Sequence, residues 1–89
     1  MNTEDKMTVR NIELSAEFSR YLFEHPEIES ELPMDAEVVL LPEFDPPLRA
    51  YNEQLGRTME EQGDKVAYVR VGHMRPKSLS RIESLAVGV

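Results

Sequence analysis

Apolar residues recur with a helical period between Ile12 and Phe23, which predicts the first element of the chain. At about 100° per residue, the charged residues fall on one narrow stripe and apolar residues occupy both of its flanks. The stripe consists of Glu13, Glu17, Arg20 and Glu24; one flank holds Leu14, Phe18, Tyr21 and Leu22, and the other holds Ile12, Ala16 and Phe23. A helix that rests only on its own sheet needs an apolar arc of about 100°. The wider arc therefore predicts a second contact, either with another helix or with another subunit.

Polar and proline residues mark the ends of this helix. Asn11 is a good N-cap candidate, and residues 1–10 carry no strong pattern, which predicts a flexible N-terminus. Pro26 ends the helix near Glu24, because the residue before a proline is pushed out of the helical region. The segment from Pro26 to Leu32 is predicted to form one further helical turn, with Pro26 at its first position and Pro33 directly after its end.

Residues 35–72 are predicted to form a strand, a helix and a second strand. Residues 37–41 are apolar at every position after the glutamate, as in a strand that is covered on both faces. Residues 65–71 present one wholly apolar face and one mixed face. Two strands joined by a helix should be parallel, with a right-handed crossover. The predicted fold class is therefore α/β, in the order αβαβ, with a two-stranded parallel sheet.

The connecting helix is the most clearly marked element. Asp45 is placed to cap its N-terminus, and the two prolines that follow suit its first turn. Gly63 is placed to end it. Charged residues of alternating sign form a solvent-facing ladder: Arg49, Glu53, Arg57 and Glu61. The opposite side, which must pack on the sheet, holds Leu48, Tyr51, Asn52, Leu55 and Met59.

A sheet of two parallel strands predicts assembly with a second subunit, since three or more strands are normally needed for stability. Together with the wide apolar arc of the first helix, this predicts a homodimer, whose sheets either join edge to edge or stack face to face. The candidate dimer or partner surface consists of Ile12, Ala16, Phe18 and Phe23.

The residue composition of the chain changes after Gly72. We therefore predict one α/β domain over residues 11–76 and a C-terminal arm over residues 77–89. The arm ends in the apolar alternation Leu85, Val87, Val89. This alternation leaves two alternatives open, a disordered tail or a third strand. We favour an ordered arm that crosses to a partner.

Composition narrows the classes of function. The 89-residue chain has no cysteine, which excludes disulfides, thiolate zinc sites and cysteine nucleophiles. No apolar run approaches the roughly 20 residues that span a bilayer, and the polar start is unlike a signal peptide, so a cytoplasmic protein is expected. The net charge of −7 argues against nucleic-acid binding, which needs an excess of Lys and Arg. Residues 1–64 carry a net charge of −11 and residues 65–89 a net charge of +4, so the chain has an acidic body and a basic tail. The basic tail is suited to contact with an acidic protein surface.

The best candidate for a ligand site is the edge where the two strands end. Parallel pairing brings the loop with Glu43 and Asp45 close to the segment with His73, Arg75 and Lys77. One interpretation is a divalent-metal or polar-metabolite site, in which the basic side chains pair with an anionic group. The other is structural: the carboxylates cap the helix and face its dipole, and the bases neutralise the loop. We favour the structural interpretation. The loop has no glycine and is unsuited to phosphate.

No motif identifies a catalytic residue, and no cofactor is indicated. We therefore expect a non-enzymatic, dimeric protein-interaction module with a regulatory or antitoxin-like role. The alternative is a small-metabolite or divalent-metal binding protein, or an enzyme, with its site at the carboxyl ends of the strands. The expected partners are a second copy of the chain and a heterologous protein, rather than a membrane or a nucleic acid.

Three segments carry a resemblance to a known family: NIELSAEFSRYLFEHPEI, AEVVLLPEFDPPLRAYNEQL, and KVAYVRV followed by MRP. With these segments the chain resembles a family of small uncharacterised prokaryotic proteins, archaeal and bacterial, that is a domain of unknown function. The resemblance covers residues 11–76. It implies the same order of elements and no assigned chemistry, so no catalytic residue is carried over.

Overall fold

The computed structural model of the protein describes residues 2–77 and 80–88. These residues form helix α1 (Thr3–Glu24), helix α2 (Pro26–Glu29), strand β1 (Glu37–Pro42), helix α3 (Pro46–Glu61) and strand β2 (Val66–Val71). The order helix, strand, helix, strand, with a short helical turn after the first helix, confirms the predicted α/β fold class. The remaining residues of the predicted terminal segments, Met1, Ser78, Leu79 and Val89, lie outside the described residues.

Helix α1 begins at Thr3, so the predicted start at Asn11 is wrong, and the residues from Thr3 to Arg10, which were predicted to belong to a flexible N-terminus, are helical. Asn2 caps the helix, because its side-chain carbonyl accepts a hydrogen bond from the Asp5 N–H at 2.8 Å. The first turn is acidic and suits the positive end of the helix dipole. Met7 is buried in the hydrophobic core and holds these early turns against the rest of the protein.

The junction between α1 and α2 is formed by His25. Its backbone N–H donates to the Tyr21 carbonyl at 2.8 Å, and its ring stacks on the Tyr21 ring with centroids 4.2 Å apart. Its Nδ1 lies 3.2 Å from the Glu27 carboxylate. Pro26 occupies the first position of α2, as predicted.

Strands β1 and β2 form a parallel two-stranded sheet, as predicted. The register runs from Glu37 opposite Val66 to Pro42 opposite Val71. β1 is buried from Val39 to its end, which confirms a strand that is covered on both faces. β2 is only half-buried or exposed along its whole length. The sheet is therefore covered at β1 and open at β2.

The hydrophobic core lies between α1, the sheet and α3. Its buried members are Met7, Leu14, Leu40 and Leu48, and the half-buried Phe18, Tyr51, Val69 and Val71 pack against them. Leu40 and Val69 are paired in the register and so share one face of the sheet. Because Leu14 belongs to the same cluster, α1 packs against this face.

Helix α3 approaches the opposite face of the sheet closely at Gly56. A Cβ atom at this position would lie 2.6 Å from the ring of Tyr68, so only glycine fits without displacement of that ring. The Tyr68 hydroxyl donates a hydrogen bond to the carboxylate of Glu60, one turn further along α3. The glycine thus leaves room for the Tyr68 ring between α3 and β2.

A pair of hydrogen-bonded amides, of which Asn52 is buried and Asn11 half-buried, joins α1, β1 and α3. Asn52 is 3% exposed, and its Nδ2 donates to the Leu40 carbonyl and to Asn11 Oδ1, both at 2.8 Å. Asn11 Nδ2 donates back to Asn52 Oδ1 at 2.8 Å. The Glu37 N–H donates to the Lys65 carbonyl at 2.8 Å, so by the alternation of a parallel ladder the Leu40 carbonyl points to the outer edge of β1. Asn52 therefore covers this edge of the sheet.

Helix α3 has the predicted charged face and the predicted end. Glu53 pairs with Arg49 at 3.1 Å and with Arg57 at 4.0 Å. Gly63, just beyond the helix, has a φ of +91°, a conformation that favours glycine. Leu55, which was predicted to face the sheet, is instead 39% exposed.

The described part of the arm, residue 77 and residues 80–88, contains neither helix nor strand. Its apolar side chains are open to solvent, with Ile82 66%, Leu85 77% and Val87 83% exposed. Over these residues, the arm adds no third strand to its own sheet. Its contact with a partner stays a prediction.

Candidate functional site

The two carboxylates of the predicted ligand edge lie where β1 passes into α3. Asp45 Oδ1 accepts a hydrogen bond from the Leu48 N–H at 3.4 Å and lies 3.5 Å from Arg10 Nη1. Asp45 is thus the predicted cap of α3, and it also ties α1 to the loop. The Glu43 N–H donates to the Val71 carbonyl at 2.9 Å, which extends the strand pairing by one residue, while its side chain is exposed.

The basic half of the predicted edge, His73, Arg75 and Lys77, follows the end of β2. All three residues are exposed, and none makes a hydrogen bond or ion pair with another residue of the described chain. The structure therefore places the acidic and basic residues after neighbouring strand ends, but no hydrogen bond or ion pair within the described chain joins the two groups. The structural interpretation implies that Arg75 and Lys77 pair with the acidic loop. Within residues 2–77 and 80–88, no such pairing is present.

A small cavity of about 110 Å³ lies at this end of the sheet. It is lined by Arg10, Glu13, Leu14, Phe44, Asp45, Leu48 and Met74. Of the predicted edge residues, only Asp45 contributes to it. Arg10 and Glu13 were not predicted for this site, because the predicted helix began too late to carry Arg10. Asn2 and the acidic first turn together mark a helix start, and this signal in the sequence could have placed Arg10 on α1.

Metal coordination needs several His, Asp or Glu side chains around one point. Within residues 2–77 and 80–88, no three such side chains come together in a group that could hold a metal ion. In the same part of the chain, Asp45 is engaged with Leu48 and Arg10, and His25 is engaged with Tyr21 and Glu27.

Helix α1 carries a second apolar face, which we call the outer stripe: Val9, Ile12, Ala16 and Phe23. At about 100° per residue these four positions span an arc of about 60°. The core-facing residues of α1 lie on roughly the opposite side of the helix: Met7, Leu14 and Phe18. Phe23 is 89% and Ile12 64% exposed. The outer stripe is therefore not used by the core of this chain.

Phe18 does not belong to the outer stripe, although it was predicted as part of the dimer or partner surface. It is half-buried and packs against the core cluster that contains Leu14 and Leu40. The reason is its position on α1, about 180° from Val9 around the helix. The other three predicted residues, Ile12, Ala16 and Phe23, are exposed.

A groove of about 360 Å³ runs between α1 and α3 beside the outer stripe. It is lined by Thr8, Asn11, Ile12, Ser15, Tyr51 and Leu55. Ile12 belongs to both surfaces, so the groove and the outer stripe are continuous. The groove combines apolar side chains with hydroxyl and amide groups, a mixture that suits a peptide or protein surface. Tyr51 and Leu55 were predicted to face the sheet, and their role in this groove was missed.

The DUF5647 family, described as a family of unknown function, matches residues 6–85 of the chain. The chain belongs to this family. The match confirms the resemblance to an uncharacterised domain and extends beyond residues 11–76 at both ends. Neither a curated protein nor a solved structure matches the chain.

Among the described residues of this DUF5647 member, Asp35 and Tyr68 have shifted pKa values, and both lie away from the predicted ligand edge. Lys65 Nζ donates to Asp35 Oδ1 at 3.2 Å, which holds the pKa of Asp35 below its ordinary value. The hydrogen bond from the Tyr68 hydroxyl to the Glu60 carboxylate raises the pKa of Tyr68. Each pair links a strand or strand start to a preceding segment, so both shifts reflect the fold.

In the described ranges, no helix of this DUF5647 member is both long enough and apolar enough to cross a bilayer.

Proposed function

We propose that the protein is a non-enzymatic protein-interaction module that works as a homodimer, in a regulatory or antitoxin-like role, and binds a second protein through α1. The outer stripe of α1 supports this proposal. Covering an exposed apolar side chain of the size of Phe or Ile contributes about 1.5–3 kcal/mol. Phe23 is 89% exposed and Ile12 is 64% exposed. A partner that covers them would therefore gain most of this free energy.

The groove between α1 and α3 provides the second part of the proposed binding surface. An apolar stripe beside a groove is the arrangement in which amphipathic helices of partner proteins are held. Thr8 and Ser15 place hydroxyl groups on the α1 side, where they can fix the orientation of a bound segment. We propose that the partner inserts apolar side chains between Ile12 and Leu55.

Purification of the tagged protein from its native host, followed by reconstitution with each purified co-eluting protein, tests this proposal. Phe23→Asp and Ile12→Asp should each weaken binding of the true partner at least tenfold, which corresponds to about 1.4 kcal/mol. Met34→Asp is the matched control, because Met34 is an equally exposed apolar residue outside α1. A partner that binds all three variants as tightly as the wild type would contradict the proposed surface.

A second candidate function is the binding of a small anionic metabolite at the carboxyl ends of the strands. The cavity of about 110 Å³ next to Arg10 and Asp45 favours this candidate. Its volume admits only a small molecule, and the Arg10 guanidinium is the basic group that lines it.

A thermal-shift screen with divalent metals, nucleotides and small organic acids tests the second candidate. A ligand present at about 100 times its Kd stabilises the folded state by about 2.7 kcal/mol. Arg10→Ala should remove the shift that such a ligand causes. His73→Ala tests the predicted ligand edge in the same way. If none of these ligands raises the melting temperature, the second candidate fails.

A further inference from the structure

The outer edge of β2 carries backbone groups that have no partner in the described chain. The Glu37 N–H donates to the Lys65 carbonyl, and the Glu43 N–H donates to the Val71 carbonyl. In a parallel ladder the direction of these groups alternates, so Ala67 and Val69 also face β1. The N–H and C=O groups of Val66, Tyr68 and Arg70 therefore point away from β1. No residue of the ranges 2–77 and 80–88 pairs with them.

In the part of the chain that the structure describes, this edge also lacks the features that natural proteins use to protect a free strand. Edge strands are usually kept from pairing by proline, by bulges, by several charged residues or by a covering segment. β2 is six residues long, and Arg70 is its one charged residue. It contains no proline and pairs with β1 in an uninterrupted register. The outer edge of β1, in contrast, is covered by Asn52.

We infer that the β2 edge pairs with the β2 edge of a second copy of this chain, in antiparallel register centred on Tyr68. This inference rests on the homodimer in the proposed function and specifies how it forms. With Tyr68 opposite Tyr68 of the second copy, Val66 lies opposite Arg70. Residues that face each other in this way exchange both of their hydrogen bonds. All three outward N–H groups and all three outward C=O groups of each copy are then paired.

The side chains of β2 are compatible with this register. Tyr68 meets its own copy, and aromatic pairs stabilise facing strands. Arg70 faces Val66, so no two like charges lie directly opposite each other. On the other face, Ala67 lies opposite Val69, which continues the apolar face of the sheet across the two-fold axis. The result is a four-stranded sheet in the order β1, β2, β2, β1, which meets the usual minimum for a stable sheet.

Introduced cysteines test the register directly, because the chain has no cysteine of its own. Residues opposite each other in a hydrogen-bonded antiparallel pair have Cα atoms about 5.5 Å apart, within the range of about 4.4–6.8 Å that a disulfide spans. Tyr68→Cys should therefore cross-link to itself under mild oxidation. Arg70→Cys is the matched control on the same face, because its Cα atom lies about 14 Å from its counterpart in this register.

A second set of variants keeps Tyr68 in place. Val66→Cys and Arg70→Cys should each stay uncross-linked alone, but should form a covalent heterodimer when the two proteins are mixed and oxidised. On a denaturing gel without reductant, most of the heterodimer in the mixed sample should then migrate as a covalent dimer. Reduction of the disulfide should return it to the monomer position. Circular dichroism of each variant before oxidation establishes that it is folded.

Several outcomes would overturn the inference. Self-cross-linking of Arg70→Cys would show a different register. Absence of the mixed cross-link, in a protein that light scattering shows to be dimeric, would show that the dimer uses another surface. If such a dimer dissociates when residues 77–89 are deleted, the arm and not the β2 edge holds it together. A wild-type protein that is monomeric by light scattering would contradict the homodimer of the proposed function itself, before any cysteine is introduced.

Discussion

Asn52 connects three elements from a position that is only 3% exposed. Its side chain bonds to the Leu40 carbonyl at the outer edge of β1 and exchanges hydrogen bonds with Asn11 of α1. The periodicity of α3 correctly places Asn52 on the inner side of the helix. Its partner was not predicted, because Asn11 matches the pattern of a helix cap and a pairing between distant residues leaves no local signal.

Replacement of Asn52 by Ala should destabilise the protein by about 3 kcal/mol, because it leaves the Leu40 carbonyl and the Asn11 amide without partners. Asn11→Ala should cost about 1 kcal/mol, since Asn11 is half-buried and water can replace part of its bonding. Urea unfolding followed by circular dichroism measures both values. Equal effects of less than about 0.5 kcal/mol would show that the amide pair does not hold the three elements.

Because of Tyr68, the free energy of unfolding should depend on pH in the alkaline range. The hydrogen bond to Glu60 raises its pKa above the ordinary value of 10.0. The folded state therefore keeps this proton at a pH where the unfolded state has lost it. The contribution is fully present below pH 10.0 and is lost as the pH rises through the folded-state pKa. In Tyr68→Phe this alkaline loss should be absent. A constant difference between the two proteins in unfolding free energy across this range would contradict the assignment.

At the scale of elements, α1 differs most from what the sequence predicts. The unit from β1 to β2 was predicted correctly, because continuous apolar runs, two prolines after Asp45 and a terminal Gly63 are local signals. The beginning of α1 was missed because its first turns contain mostly polar residues. These turns nevertheless carry Met7 into the core and Arg10 to the loop before α3. The missing turns are also why the lining of the small cavity was predicted incompletely.

Met7→Ala measures whether the first turns of α1 belong to the folded core. It should destabilise the protein by about 3 kcal/mol, as expected for a buried methionine that is truncated. Val9→Ala is the matched control, because Val9 lies on the outer stripe and is 43% exposed. Its effect should stay below about 0.5 kcal/mol. A negligible effect of both substitutions on the urea midpoint would favour the flexible N-terminus that the sequence pattern predicts.

At the scale of the whole molecule, the chain exposes more surface than a single folded domain usually does. Its accessible surface is 7573 Å², whereas a folded monomer of 10.2 kDa exposes about 5,300 Å². Its radius of gyration is 16.9 Å, compared with about 12 Å for a compact chain of this length. Part of the excess belongs to the arm. The outer stripe of α1 and the β2 edge provide further surface that a partner can cover.

This excess is large enough for the proposed assembly. A protein in a stable complex contributes about 800 Å² to an interface of standard size. The sequence predicted the need for a second subunit from the two-stranded sheet and the wide apolar arc of α1. It left open which edge or face is used, because edge-to-edge and face-to-face packing require similar apolar patterns. The structure narrows the question by showing which strand edge is covered and which is open.

Light scattering coupled to size-exclusion chromatography tests the homodimer most directly. A homodimer should have a mass of about twice the chain mass of 10.2 kDa over a wide range of protein concentrations. Dissociation should appear only on strong dilution and should be accompanied by a lower melting temperature, since assembly stabilises the folded chain. A single species of 10.2 kDa at every concentration, with a melting temperature that does not change on dilution, would show that the protein is a monomer and not the proposed homodimer.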